Sequence, residues 1–224
     1  MSYLRKVYAI VVKDVAAELR TREMLSSMLV FALLVILIFN FAFELRADNQ
    51  RTLAPGVLWA AIAFAGTLGL TRSFIVEKDR GSIDGLLLAP VDRSAIFLGK
   101  MLGNTLFIGV VDLITLPVFI VLFNLPVTSL LPLAGVAALG TFGLAGVGTL
   151  FSAMAVHTRA REVMLPVLLF PVAVPVILAA VKLTAGIIDA LPFSEVQSWF
   201  SLLAVFDVVF AALSLILFDY VMEE

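Results

Sequence analysis

The sequence predicts an all-α membrane protein with six transmembrane helices and an N-terminal amphipathic helix in the membrane interface. Three observations predict it. First, 62% of the 224 residues are apolar and only 14% are charged, whereas soluble domains sit nearer half apolar and a quarter charged. Second, the apolar residues gather in runs of about 20 or more, the length a helix needs to cross a hydrocarbon core about 30 Å thick. Third, lysine and arginine are spread very unevenly over the stretches between those runs.

The elements follow in order. Residues 1–23 lack a continuous apolar core, so no cleaved signal peptide is expected there. Leu4, Val7, Tyr8, Val11, Val12, Val15 and Leu19 instead make a helical stripe, with Arg5, Lys6, Lys13, Asp14 and Glu18 off it. Beside a membrane such a helix belongs in the interface. It serves there either as a lipid anchor or as a connecting helix that packs against the 72–100 segment and moves with it. Spans follow at 24–43 and 52–71, both free of charge. The third, 101–123, contains Asp112. The fourth lies in an uncharged stretch longer than one crossing needs and is trimmed to 127–156. The fifth is 163–181, and the sixth, 198–218, contains Asp207. Residues 1–224 thus read as one membrane domain, with no room for a separate soluble one.

Two spans carry packing signals. Gly135, Gly140, Gly143, Gly146 and Gly148 crowd the fourth, and Thr141, Ala145, Thr149 and Ala153 recur in it at four-residue steps. Small residues at that spacing let helix backbones approach closely. Pro166, Pro171 and Pro175 remove backbone donors from the fifth span and are expected to kink it, for packing or as a hinge.

Orientation follows from the cations. Arg5, Lys6, Lys13, Arg20 and Arg22 precede the first span; Arg72, Lys78, Arg80, Arg93 and Lys100 lie in the second connection; Arg159 and Arg161 lie in the fourth. Only Arg46, Arg51 and Lys182 fall on the other side. The positive-inside rule then places both termini and the 72–100 segment in the cytoplasm. The net charge of −2 adds nothing, because the rule counts positive charges where they sit.

Several chemistries are excluded. No Gly-x4-Gly-Lys-Ser/Thr phosphate loop is present, so this chain does not bind ATP by that means. With no cysteine and one histidine, thiol exchange and clustered His/Cys metal sites are ruled out by counting. His157, beside Arg159 and Arg161 at a span end, reads as a solvated loop residue rather than a ligand. Trp59 and Trp199 are isolated, and Trp199 suits an interfacial anchor. Basic residues are interleaved with acids, so nucleic acid is not an expected partner.

Two features carry functional content. The 72–100 segment is the longest charged island, and charge cannot stay in hydrocarbon, so it must face water. Its mixed charges, short apolar run and Pro90 suit docking to a soluble partner. Asp112 and Asp207 lie near mid-span, where an ionised carboxylate costs at least about 2.5–3.5 kcal/mol. Each is expected to face the bundle interior, to pair, or to carry a proton. Asn104, Thr105 and Thr115 share the face of Asp112. The two readings are an intramembrane proton or substrate relay and ordinary inter-helix hydrogen bonding.

The string Glu77-x3-Gly81-x4-Leu86-x3-Pro90, running on to Lys100, resembles the second-to-third-helix loop of the ABC-2 class of ABC exporter permeases. Ala54-Pro55-Gly56-x2-Trp59 and Pro171-x3-Pro175, in so short a chain, narrow the resemblance to the CcmB family, the permease component of the haem exporter of cytochrome c maturation. The resemblance covers nearly the whole chain. It implies a single ABC-2 (type V exporter-like) transmembrane domain that is not itself an enzyme, in the bacterial inner membrane, paired with itself and with two copies of an ATPase that binds ATP. It further implies a haem-handling membrane subunit, a small membrane subunit and a periplasmic haem chaperone. Haem enters only as a transported or partner-held ligand; no cofactor is assigned to this chain. Within the loop, Glu77, Arg80, Gly81, Ser82, Ile83, Asp84, Leu86 and Leu87 are implied to form or support the ATPase contact. Asp112 and Asp207 lie outside the motif, so the resemblance does not assign them. Two other functions stay open: an ABC-2 exporter of a drug, lipid or polysaccharide precursor, and a proton-coupled secondary transporter.

Overall fold

In hydrocarbon every backbone amide must find its partner inside its own segment, so each apolar run folds as one helix. The computed structural model describes residues 2–44, 50–79, 91–156, 158 and 161–221. Its α-helices are α1 (Tyr3–Thr21), α2 (Glu23–Glu44), α3 (Gln50–Asp79), α4 (Arg93–Leu122), α5 (Leu130–Ala155), α6 (Arg161–Ile188) and α7 (Phe193–Val221). A short 3-10 turn, Val127–Ser129, precedes α5. Helices α2 to α7 are each long and apolar enough to cross a membrane, and the described residues contain no strand. This is the all-α, six-span membrane fold that the sequence predicts.

Helix α5 is the centre, packed against α3, α4, α6 and α7. Its small residues make this possible. A Cβ at Gly140 would collide with the Trp59 ring of α3, and one at Gly148 with Leu70. Gly135 serves no such approach among the described residues, none of which lies within 4 Å of its missing Cβ. Polar seams reinforce the packing. Trp59 Nε1 donates to Thr184 Oγ1 at 2.9 Å, joining α3 to α6, and Asn104 Nδ2 donates to Thr149 Oγ1 at 2.9 Å, joining α4 to α5. Ser152 Oγ donates to the Leu70 carbonyl at 2.6 Å. Trp199 is half-buried and packs on the core. Pro166, Pro171 and Pro175 all sit inside α6 without interrupting it.

The helix ends are longer than the apolar runs. Helix α3 continues through Asp79 and α4 begins at Arg93, so the charged island is helical at both flanks. Several bonds gather the helix ends near α1. Arg72 reaches Glu23 at 3.4 Å, Lys78 Nζ donates to the Val156 carbonyl at 3.0 Å, and Arg93 donates to the Asp219 carbonyl at 3.0 Å.

Helix α1 lies across that end, against α4 and the start of α2. Arg22 takes a left-handed conformation (φ 56°) and its N–H closes α1 on the Glu18 carbonyl at 2.7 Å, so α2 starts without a linker. The apolar surface of α1 is divided. Val7 and Ile10 are buried on the bundle, whereas Leu4, Tyr8, Val12 and Leu19 stay exposed on the outward side.

Candidate functional site

The site is built where α1 meets α4. Gly99 and Gly103, four residues apart, leave a notch on α4. A Cβ at Gly99 would lie 2.8 Å from both Ile10 Cβ and Cγ2 and 3.3 Å from the Val7 carbonyl oxygen, and one at Gly103 would lie 3.7 Å from Asp14 Oδ2. Close approach of this kind is what small residues at four-residue spacing permit. It brings the inner face of α1 over the end of α3.

Four charges meet beneath that contact. Lys100 is only 2% exposed, and its ammonium lies 2.9 Å from Asp14 Oδ2 and 2.9 Å from Glu77 Oε1. It also donates to the Ser73 carbonyl at 3.3 Å and sits 5.5 Å from the Phe74 ring centroid, a cation–π distance. Lys13 bonds to Glu77 and lies 3.3 Å from Asp14 Oδ1. Among the described residues, two cations and two carboxylates from three helices thus form one cluster whose charges balance, the arrangement that makes charge tolerable at such burial. Desolvation works against the Lys13 ammonium, but its hydrogen bond to Glu77 and the charges of Asp14 and Glu77 outweigh it. They hold its pKa above the ordinary 10.5, so Lys13 stays charged throughout the neutral range. Two outer contacts pin the start of α1: Lys6 to Asp92 at 3.3 Å and the Tyr3 hydroxyl to Ser94 Oγ at 3.2 Å.

Of the residues expected in the loop contact, Glu77 is 7% exposed in the last turns of α3, inside this cluster. Arg80, Gly81, Ser82, Ile83, Asp84, Leu86 and Leu87 lie outside the described residues, as do His157, Arg159 and Arg46. Sequence reasoning placed Lys100 at the end of a loop motif and missed its burial. The signal that could have found it is the Gly99-x3-Gly103 frame around it.

The two aspartates sit in different surroundings. Asp112 of α4 is buried, and its Oδ2 accepts the Thr141 hydroxyl of α5 at 2.6 Å. Its expected neighbours bond elsewhere: Asn104 to Thr149, Thr105 to the Met101 carbonyl, and Thr115 to the Val111 carbonyl. Asp207 of α7 is also buried, packed against α5 where a Cβ on Gly143 would collide with its carboxyl. Neither of its oxygens has a hydrogen-bond partner among the described residues. Nor do those residues include any group of three or more His, Cys, Asp or Glu that could hold a metal ion.

Comparison with known proteins finds relatives of one name. The chain is 29% identical over 175 residues to a protein named heme exporter protein B from Rhodobacter capsulatus, covering 78% of this chain and 80% of the relative. It is 28% identical over 175 residues to heme exporter protein B of Pseudomonas aeruginosa, 78% of each chain. The protein of that name from Paracoccus denitrificans is 28% identical over 170 residues, 76% of this chain and 78% of the relative. The family model described as CcmB protein matches residues 5–221, so this six-span chain with its clamped N-terminal helix belongs to the CcmB family.

Proposed function

We propose that the chain is the permease of an ABC transporter complex serving cytochrome c maturation, coupling ATP hydrolysis by a separate ATPase chain to haem export or to release of the haem-loaded periplasmic chaperone. Family membership and the names of the relatives support the haem assignment. The observation that carries the coupling assignment is the ion cluster. Glu77 and Lys100 stand on the two helices that flank residues 80–90, and both are tied to Asp14 or Lys13 of α1.

A displacement of the 80–90 segment by a closing ATPase dimer is then delivered to α3 and α4 together, because the cluster ties their ends to α1. Helix α5, packed on both, carries the movement toward α6 and α7. In this reading Glu77, Arg80, Gly81, Ser82, Ile83, Asp84, Leu86 and Leu87 form or support the ATPase contact. The chain itself is non-catalytic, sits in the inner membrane with both termini cytoplasmic, and works as a homodimer. A haem-handling membrane subunit, a small membrane subunit and the periplasmic haem chaperone complete the assembly.

Affinity purification of the chain in mild detergent, with identification of the co-purifying proteins, tests this. The expected result is an ABC ATPase together with cytochrome c assembly proteins. An ATPase with no such proteins would point to export of another amphiphile. Transport that survives deletion of the ATPase would overturn the reading in favour of proton coupling.

A further inference from the structure

Between α1 and the ends of α2, α3 and α4 lies a cavity of about 300 Å³, at the lower end of the size range of small-ligand sites. The ion cluster forms one wall, Met24 and Phe107 offer apolar surface, and Arg72 stands in another wall. Among the described residues, four carboxylates line it against three cations. Glu18 is the telling residue. It is 8% exposed, and one oxygen accepts the Leu25 backbone N–H at 2.8 Å. No cation lies within ion-pair distance of it among the described residues. Leu25 lies in the first turn of α2, whose N-terminal dipole offsets part of the cost of burying this carboxylate but supplies no full counter-charge. The carboxylate lines a cavity large enough for a cation to enter.

The surroundings define the ligand. Leu4, Tyr8, Val12 and Leu19 leave an exposed apolar strip on α1, the mark of a helix that lies in the lipid interface; on that reading the cavity beneath α1 is at headgroup depth. Arg72 is half-exposed and its ion pair to Glu23 is long at 3.4 Å, leaving guanidinium donors for an anion. A primary ammonium for Glu18, an adjacent phosphate for Arg72 and an apolar continuation along Met24 and Phe107 are the parts of an aminophospholipid. We propose that this cavity binds the headgroup of a phosphatidylethanolamine-type lipid, which wedges α1 against the bundle. A choline headgroup has no N–H to donate, and an anionic headgroup would meet the excess of carboxylates.

The full chain, with any proteins that co-purify, is reconstituted in nanodiscs of phosphatidylcholine alone, or with added phosphatidylethanolamine or phosphatidylglycerol. Lipid retained after transfer to detergent and the Tm are then measured. Phosphatidylethanolamine should be retained about tenfold or more over either competitor, as expected for a charge-assisted hydrogen bond, and should raise Tm. Glu18→Gln keeps an oxygen for the Leu25 N–H but loses the charge, and should abolish the preference. Should that variant fail to fold, Arg72→Gln at the rim decides, since it should weaken phosphatidylethanolamine retention. Equal retention of phosphatidylglycerol, a preference unchanged in Glu18→Gln, or phosphatidylethanolamine retention unchanged in Arg72→Gln would overturn the proposal. So would soluble phosphoethanolamine raising Tm equally in phosphatidylcholine nanodiscs, which would assign the site to a soluble amine.

Discussion

A lysine ammonium withdrawn from water persists in the folded chain only if carboxylates replace the water, and Asp14 and Glu77 do so for Lys100 at 2.9 Å each. Lys100→Met keeps the length of the stem and removes the charge, leaving two acids to share the half-exposed Lys13. Breaking a buried pair from one side costs about 3–5 kcal/mol. The variant should therefore show a clear fall in Tm in detergent, and an unchanged Tm would mean that water already solvates the cluster. The aspartates make a second prediction at this scale. Asp112→Asn retains an acceptor for the Thr141 hydroxyl, whereas Asp112→Leu strands it at about 1–3 kcal/mol. Asp207 bonds to no described residue, so Asp207→Leu should cost less than Asp112→Leu. Both Asn variants should keep most maturation activity under the proposed function. If either abolishes activity while ATP hydrolysis and assembly persist, a titratable step inside the membrane is required, because Asn cannot exchange a proton.

At the scale of elements, α1 works with two apolar strips. Ile10 sits against Gly99, and Leu4 faces outward. Ile10→Asp should undock the helix, raising amide hydrogen exchange along α1 and lowering cytochrome c maturation. Leu4→Asp puts a charge on the exposed outward strip and should leave α1 protection over the notch intact. Equal effects from the two would reduce α1 to a lipid anchor. The 80–90 segment makes the complementary test. Asp84→Lys with Gly81→Val should reduce ATPase co-purification while membrane insertion stays normal, and full co-purification would remove the segment from that interface. The reading of α1 as amphipathic was open to sequence because a 3.6-residue period is a local property. Which residues turn inward was not: Val7 of the stripe is buried, but so are Ile10 and Glu18 off it, because Gly99 and Gly103, which set the contact, are about 90 residues away in the chain.

For the whole molecule, α5 is the shared wall, and its glycines set how close the other helices come. Gly140→Val would drive a side chain into the Trp59 ring; overpacking of this kind costs about 1–3 kcal/mol or more. The expected result is a lower Tm together with disturbed Trp59 fluorescence, since the indole would lose its bond to Thr184. An unshifted Tm would mean that the α3–α5 seam is slack. The membrane class, the six spans, the amphipathic first helix and the crowding of small residues on the fourth span were all legible in the chain before folding. These depend on run length, period and spacing, which the backbone's need for internal hydrogen bonds in hydrocarbon turns directly into helices. Glu77 was singled out only through resemblance to a family loop, as part of an expected ATPase contact. Packing across the bundle settles that Glu77 and Lys100 share a buried cluster with Asp14 and Lys13, that Thr141 and not a residue of its own helix face serves Asp112, and that Glu18 lines a cavity with no cation at ion-pair distance among the described residues. The reason is distance along the chain. Charge pairing and burial depend on which helices are neighbours in space, and that is settled by packing across the bundle rather than by any local pattern.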